Sequence, residues 1–391
     1  MNRLRVGILL LFICAGSSAQ TLQGVNLIGS DSSNHVITTA VPFLSITPDS
    51  RAAGMGDVGA ATSADANSAY WNAGKMAFID KDYGVSGSYT PWLGKIINDM
   101  SIFYLAGFYK LNHTQTLAAS MKYFDLGEIQ FNNGPDPIAN NLGRFNPREF
   151  AFDVTYSQLL TENLGIGGSL RYINSNLTGA LSTGANDARP GKSVAVDIGL
   201  FYSKPLVSKN SNISFAGSIT NIGSKITYSD ANNKDFIPTN LRLGGAFKTD
   251  INPYNSLTFG LDFNKLLVPS PGPGSKGKPL LSGMFGSFTD AAGGFSEEIR
   301  EITTALGLEY WYNNGTGGSF AGRAGYFFEA WDKGNRKYLT MGVGGRLNQF
   351  GLDVAYLVPT NKRESALAET IRFTFSVMVE KKTIQETAPV D

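Results

Sequence analysis

Phe150-Ala151-Phe152-Asp153-Val154-Thr155-Tyr156-Ser157 alternates bulky apolar residues with small or polar ones, and the reading of this stretch decides the fold. Successive side chains on a strand point to opposite faces, so such a segment has one oily and one wet face. The same beat recurs in Val194, Val196, Ile198 and Leu200, which enclose Ala195, Asp197 and Gly199. It recurs again in Leu257, Phe259, Leu261 and Phe263, and in Phe350, Leu352, Val354 and Tyr356. Working outward, fourteen such segments are predicted: 82–90, 98–109, 113–124, 148–160, 163–174, 191–204, 211–221, 239–249, 255–266, 301–312, 319–331, 336–347, 350–358 and 368–380. Most reach the ~9–11 residues that a tilted membrane strand needs. The second is apolar on both faces and carries the weakest alternation.

The wet faces decide between a soluble sandwich and a membrane barrel. They carry Asp153, Arg171, Asp197, Arg242, Asp262, Glu309, Arg323, Asp353 and Arg372, with both signs at strand centres. A lumen can hydrate and pair such charges, while Tyr172, Tyr202, Tyr310 and Tyr356 on the other face suit an aromatic girdle. An open sheet edge in lipid would strand its backbone groups, so the sheet must close. The expected fold is therefore all-β, a 14-stranded antiparallel transmembrane β-barrel. Connection lengths agree, since links at 110–112, 161–162, 313–318 and 348–349 are short, while 125–147, 174–190, 222–238 and 267–300 are long. Barrels of this kind have short periplasmic turns and long outer loops. The link 331–335 is the exception, being short on the long side. The last segment alternates Ile371, Phe373, Phe375, Val377 and Val379 with Arg372, Thr374 and Ser376, as a closing strand should.

The ends and the composition fit an exported chain. Arg3 and Arg5 precede an apolar run at 6–14, followed by Ser17 and Ala19, the pattern of a cleaved signal peptide over 1–19. Ile13 before Cys14 does not suit lipid attachment, and cleavage removes the single cysteine, leaving neither disulfide nor thiol ligand. With 33 basic and 32 acidic residues, nothing calls for nucleic acid. The organisation expected is signal peptide 1–19, extension and hatch 20–81, barrel 82–380 and a polar periplasmic tail 381–391.

Residues 20–81, between the signal and the first strand, are too many for a leader, and 41–77 are rich in Gly, Ala and Ser. Small residues let backbone approach backbone, which suits a segment folded inside a narrow lumen, an N-terminal hatch. Its candidate motif is Gly54, Gly56, Trp71, Asn72, Ala73 and Gly74. Gly54-Met55-Gly56-Asp57-Val58-Gly59 also fits a dinucleotide fingerprint, but the strand and helix that would aim it at a phosphate are missing. It reads as a glycine-rich hatch turn. His35 and His113 lie in a polar leader and at a short turn, and read as solvated rather than as bases or ligands. No catalytic residue, metal site or cofactor is assigned. Phe43, Trp71, Trp92, Phe103 and Tyr104 could line a fatty-acid path, though girdle or plug packing is the plainer reading. Trp92 is an alternative membrane-interface anchor.

The stretch Thr39-Ala40-Val41-Pro42-Phe43-Leu44-Ser45-Ile46-Thr47-Pro48-Asp49-Ser50-Arg51-Ala52-Ala53-Gly54-Met55-Gly56, with Tyr70-Trp71-Asn72, resembles the FadL-like fourteen-stranded barrels. The closer resemblance is to their PorV (LptO) branch in the type IX secretion system of Bacteroidetes. The Asn-Pro-Ala element common in the wider family is here Asn72-Ala73-Gly74. The resemblance implies a shuttle in the outer membrane that binds the C-terminal signal domain of cargo at a SprA/Sov-type translocon. Delivery would be to the PorU-type attachment complex, which joins cargo to lipopolysaccharide. Outer-membrane lipids and lipopolysaccharide are thus implied partners. The alternatives it carries are a hydrophobic-solute transporter and a lipid A deacylase. Under the shuttle reading, loops 125–147, 174–190 and 267–300 are the expected cargo surface.

Overall fold

The computed structural model describes residues 36–92, 99–132, 141–177, 182–183, 186–187, 189–228, 234–360 and 370–380. The expected signal peptide, His35 and the tail 381–391 lie outside the described residues. Fourteen antiparallel strands close into one barrel. They are β1 (Tyr83–Pro91), β2 (Ser101–Lys110), β3 (Gln115–Asp125), β4 (Arg148–Thr161), β5 (Leu164–Asn176), β6 (Gly191–Leu206) and β7 (Ser211–Gly223). The others are β8 (Asn240–Asn252), β9 (Asn255–Leu266), β10 (Ile302–Asn313), β11 (Gly318–Phe328), β12 (Lys337–Leu347), β13 (Phe350–Pro359) and β14 (Ile371–Val379). Each strand pairs with its sequence neighbours, and β1 meets β14 from Tyr83↔Val379 to Tyr89↔Phe373. All fourteen predicted segments are strands. β11 ends at Phe328, earlier than expected, so the link to β12 spans 329–336 and is longer than the sequence suggested.

The beat of the sequence becomes the two faces of the wall. Phe152, Val154, Leu170, Ile198, Phe259, Val343 and Phe375 are exposed outward, while their neighbours in sequence are buried. Tyr172, Tyr202, Tyr310 and Tyr356 are on that outer face too. An exposed apolar girth is costly in water and favourable in lipid, so this exterior is built for a bilayer. No helix among the described residues is long and apolar enough to cross a membrane; the strands do the crossing.

Asparagine shapes many of the short turns. The Asn112, Asn252 and Asn313 side-chain oxygens accept from the amides of Thr114, Tyr254 and Gly315, at 2.9, 2.9 and 3.0 Å. Asn210 and Asn348 take left-handed backbone, which this residue tolerates better than other non-glycines. The links between β1 and β2, β3 and β4, β5 and β6, β7 and β8, β9 and β10, and β11 and β12 emerge at the opposite, long-loop end. The longest of them, after β9, carries helices Leu280–Gly286 and Phe295–Arg300.

Candidate functional site: a filled lumen

The described part of the N-terminal segment runs through the barrel. At the long-loop end the Ala40 amide donates to the Phe236 carbonyl, between β7 and β8. Near the short-turn end Lys110 Nζ donates to the Ile79 carbonyl at 2.8 Å. Between these points Val41, Phe43, Met55, Val58, Met76 and Ile79 are fully buried. Four apolar clusters join the segment to the wall. Phe43 and Leu44 pack with Ile102, Phe124 and Ile173, while Met55 and Val58 pack with Phe327 and Tyr338. Ala60 and Ala61 meet Phe201, and Met76 and Ile79 meet Phe108. This explains why β2 is apolar on both faces: Ile102, Tyr104 and Phe108 point at a core rather than at water.

Glycine makes the fit possible. A Cβ on Gly325 would lie 2.0 Å from the Gly56 nitrogen, and one on Gly167 would lie 2.5 Å from the Ala73 carbonyl. A Cβ on Gly199 would lie 2.2 Å from the Asn72 side-chain oxygen. Gly56 itself has φ of +71° and sits against the backbone of Tyr326 and Leu306. The wall therefore carries a glycine track that accepts the plug backbone at close range. Gly54 lies against Gly342, and the Trp71 ring covers Gly59. The six candidate hatch residues thus sit where plug and wall touch or where the plug folds on itself. Asn72 caps the turn Ala73–Phe78, accepting from the Gly74 amide and donating to the Leu200 carbonyl.

The nine predicted lumen charges all face inward, and they fall into two ion ladders and three plug contacts. In one ladder Arg171 on β5 bonds Asp153 on β4 and Asp197 on β6, at 2.9 Å for the latter. In the other Arg323 on β11 bridges Glu309 on β10 and Asp353 on β13, at 2.8 and 2.9 Å. The plug enters this second ladder through Arg51, whose guanidinium holds both Glu309 oxygens at 2.9 and 2.8 Å and Asp65 at 3.0 Å. Asp262 accepts from the amides of Gly59 and Ala60, both at 2.8 Å. Arg242, only half-buried, donates to the Trp71 carbonyl and stacks over its ring at 4.6 Å. Arg372 approaches Asp57 at 3.8 Å, and Tyr338 donates to the same carboxylate at 2.5 Å. Buried charges are tolerable only when paired in this way.

Several of these positions carry no signal in alternation alone. Arg51, Asp49 and Lys122 are as buried as the predicted charges. Asp49 accepts from the Ala52 amide at 2.9 Å and Trp71 Nε1 at 2.7 Å. Lys122 donates to the Ile46 carbonyl and lies over the Tyr70 ring at 4.9 Å. The glycines on the wet faces of β5, β6 and β11 were the available clue, since a strand interior otherwise disfavours them. The aromatic path divides: Phe43, Trp71 and Tyr104 are buried within, whereas Phe103 faces outward. Trp92 is no interface anchor, because it packs on Phe124 and the plug cluster. His113 is exposed in the turn between β2 and β3. Among the described residues no group of three or more His, Cys, Asp and Glu could hold a metal.

A closed, lipid-facing barrel whose lumen is occupied by its own N-terminal segment is an outer-membrane protein. Among solved structures it resembles the TodX monoaromatic hydrocarbon channel in its deltaS2 form, at TM-score 0.50 and 10% identity, covering 85% of this chain and 98% of that one. It also resembles the toluene transporter TbuX of Ralstonia pickettii (TM-score 0.47, 13% identity, 84% and 97% covered). A third is a FadL homologue of Pseudomonas aeruginosa (0.46, 11%, 89% and 99%). At these identities the likeness concerns the fold. No curated protein matches significantly in sequence. The family model for type IX secretion system protein PorV matches residues 29–273, more than half of the chain, and the chain belongs to that family. Its role is accordingly in type IX secretion at the outer membrane.

Proposed function

We propose that the protein shuttles secreted cargo within the outer membrane, binding the C-terminal signal domain at a SprA/Sov-type translocon and handing it to a PorU-type attachment complex. The observation that carries this reading, beside the family, is the filled lumen. Val41 to Ile79 occupies the barrel with buried apolar clusters and paired charges, which suits a docking platform better than a conduit. The links at the long-loop end supply the area for docking. Of the three expected cargo loops, the one after β9 is fully described; parts of the other two lie outside the described residues. The reading assigns no catalytic residue.

The test is affinity capture of the tagged protein from native outer membranes, with mass spectrometry of what accompanies it. Cargo bearing the signal domain, the translocon and attachment subunits are the expected companions. Recovery of the barrel with lumenal hydrophobic solute and none of those proteins would refute the shuttle and favour transport.

A further inference from the structure

The link after β9 is a compact cap with its polarity turned inside out. In helix Phe295–Arg300 the carboxylates Glu297 and Glu298 are buried, whereas Phe295 and Ile299 are 80% and 52% exposed. In helix Leu280–Gly286 the buried residues are Gly283 and Met284, and Leu281 and Phe285 are exposed. Both exposed pairs are spaced i, i+4, so each forms one apolar stripe. The cap is fixed rather than loose. Lys265 Nζ bonds Glu298 and Glu301 at 2.9 and 2.6 Å, and Lys333 Nζ bonds Glu297 and Glu301 at 2.6 and 3.0 Å. Arg300 meets Asp332 at 2.9 Å, which ties the chain that carries Ile299 to the chain that carries the exposed Trp331. A rigid scaffold that hides its acids and displays Phe, Ile and Trp is made to meet an apolar medium.

The height of the patch says which medium. Thr304↔Phe328 is the last pair between β10 and β11, and Phe328 faces outward at the end of the lipid-facing band. Trp331 lies three residues beyond it and Ile299 three before Ile302, at most about 10 Å past the strand ends at ~3.3 Å per residue. The accessible charge at this rim is positive. Arg300 is 38% exposed, but its partner Asp332 only 4%. An apolar surface with an exposed cation on the same segment is the pattern of a segment seated at the boundary of acyl chains and anionic head groups.

We infer that the Leu280–Arg300 cap, with Trp331, is a lipid-binding rim that inserts Phe295, Ile299 and Trp331 into the outer leaflet and sets Arg300 against lipid phosphates. This stands apart from the shuttle reading, and it leaves cargo contact to the other outer links.

Trp331 reports on the rim because Trp71 is buried, Trp92 packs on the plug cluster and Trp311 faces the lumen between Arg323 and Arg346. The full chain is reconstituted in phosphatidylcholine–phosphatidylglycerol nanodiscs, with acyl chains brominated near the head group. Tryptophan emission should be quenched by these lipids and spared by aqueous iodide, and the quenching should be lost in Trp331→Phe. Quenching should rise when the bromine is carried by phosphatidylglycerol rather than phosphatidylcholine at equal content. Iodide quenching of Trp331 without bromolipid quenching would overturn the inference and make the patch a water-facing protein surface. Equal quenching from the two lipids would overturn the phosphate half. Phe295→Asp with Ile299→Asp should move Trp331 from bromolipid to iodide access while heat-modifiable gel mobility shows the barrel intact. Unchanged access in that variant would count against insertion by the cap.

Discussion

Two glycines on one strand separate the seating of the plug from the integrity of the wall. Gly325 on β11 points into the lumen, where an added Cβ would come within 2.0 Å of the Gly56 nitrogen and 2.1 Å of the Met55 carbonyl carbon. Ordinary carbon contacts lie at about 3.5–4.0 Å. Gly325→Val must therefore push plug backbone away by about 1.5 Å. That shift breaks the bond from the Gly56 amide to Thr340 Oγ1, now 2.8 Å. Overpacking costs about 1–3 kcal/mol and the lost hydrogen bond about 1 more, so a loss of about 2–4 kcal/mol is expected. Gly322, three residues away and facing outward, has nothing within 4 Å of an added Cβ. Gly322→Val should be neutral or stabilise by up to about 1 kcal/mol, because valine suits a strand better than glycine. The assay is guanidinium unfolding in lipid vesicles, followed by heat-modifiable gel mobility, with hydrogen exchange over residues 54–58. Coincident unfolding of the two variants, with wild-type protection at 54–58, would refute the claim that the wall is carved to fit the plug.

Three further outcomes follow from the charges. Arg51→Met leaves Asp65 without its cation and should destabilise the plug by about 3 kcal/mol, as breaking a buried pair does; raised hydrogen exchange over residues 50–65 checks it. Asp262→Asn keeps the shape but loses a charge-assisted acceptor for the Gly59 and Ala60 amides, a cost of about 1.5–3 kcal/mol, read as faster exchange at those two amides. Burial pulls the Lys333 amine down, but the bonded Glu297 and Glu301 carboxylates outweigh it and hold the amine above its ordinary 10.5. Its contribution to the cap is thus fully present below 10.5 and fades only as alkali titrates it above that value. Proteolysis within 280–300 should stay flat through neutral pH and rise only in strong base; a rise near neutrality would refute this.

The barrel was legible because its code is local. Phe152, Val154 and Tyr156 declare an outer face by period two, and short links such as 348–349 declare the ends, so all fourteen strands could be read. What escaped was complementarity between distant segments. Nothing near Arg51 indicates that Glu309, on the tenth strand, is its partner. Gly167, Gly199 and Gly325 look like weak strand residues until the plug backbone lies on them. The link after β9 shows only its length in the sequence, and its two helices carry no apolar-in stripe that would announce them. Their stripes were inverted, with Glu297 and Glu298 inside, so the usual rule of apolar-in would have misplaced them.

The junction of first and last strands has a consequence for assembly. β1 follows the plug directly, and β14 closes against β1 with its inner face already engaged, since Thr374 Oγ1 accepts from the Ser50 amide at 2.8 Å. Once that seam has zipped, Arg51 could reach Glu309 only by being dragged, charged, through a closed bore. The expected order therefore has the segment laid down first, as a mandrel about which the cylinder is wound. A chain lacking residues 40–79 should acquire its heat-resistant form more slowly in vesicles than the full chain, and equal rates would show that winding needs no mandrel.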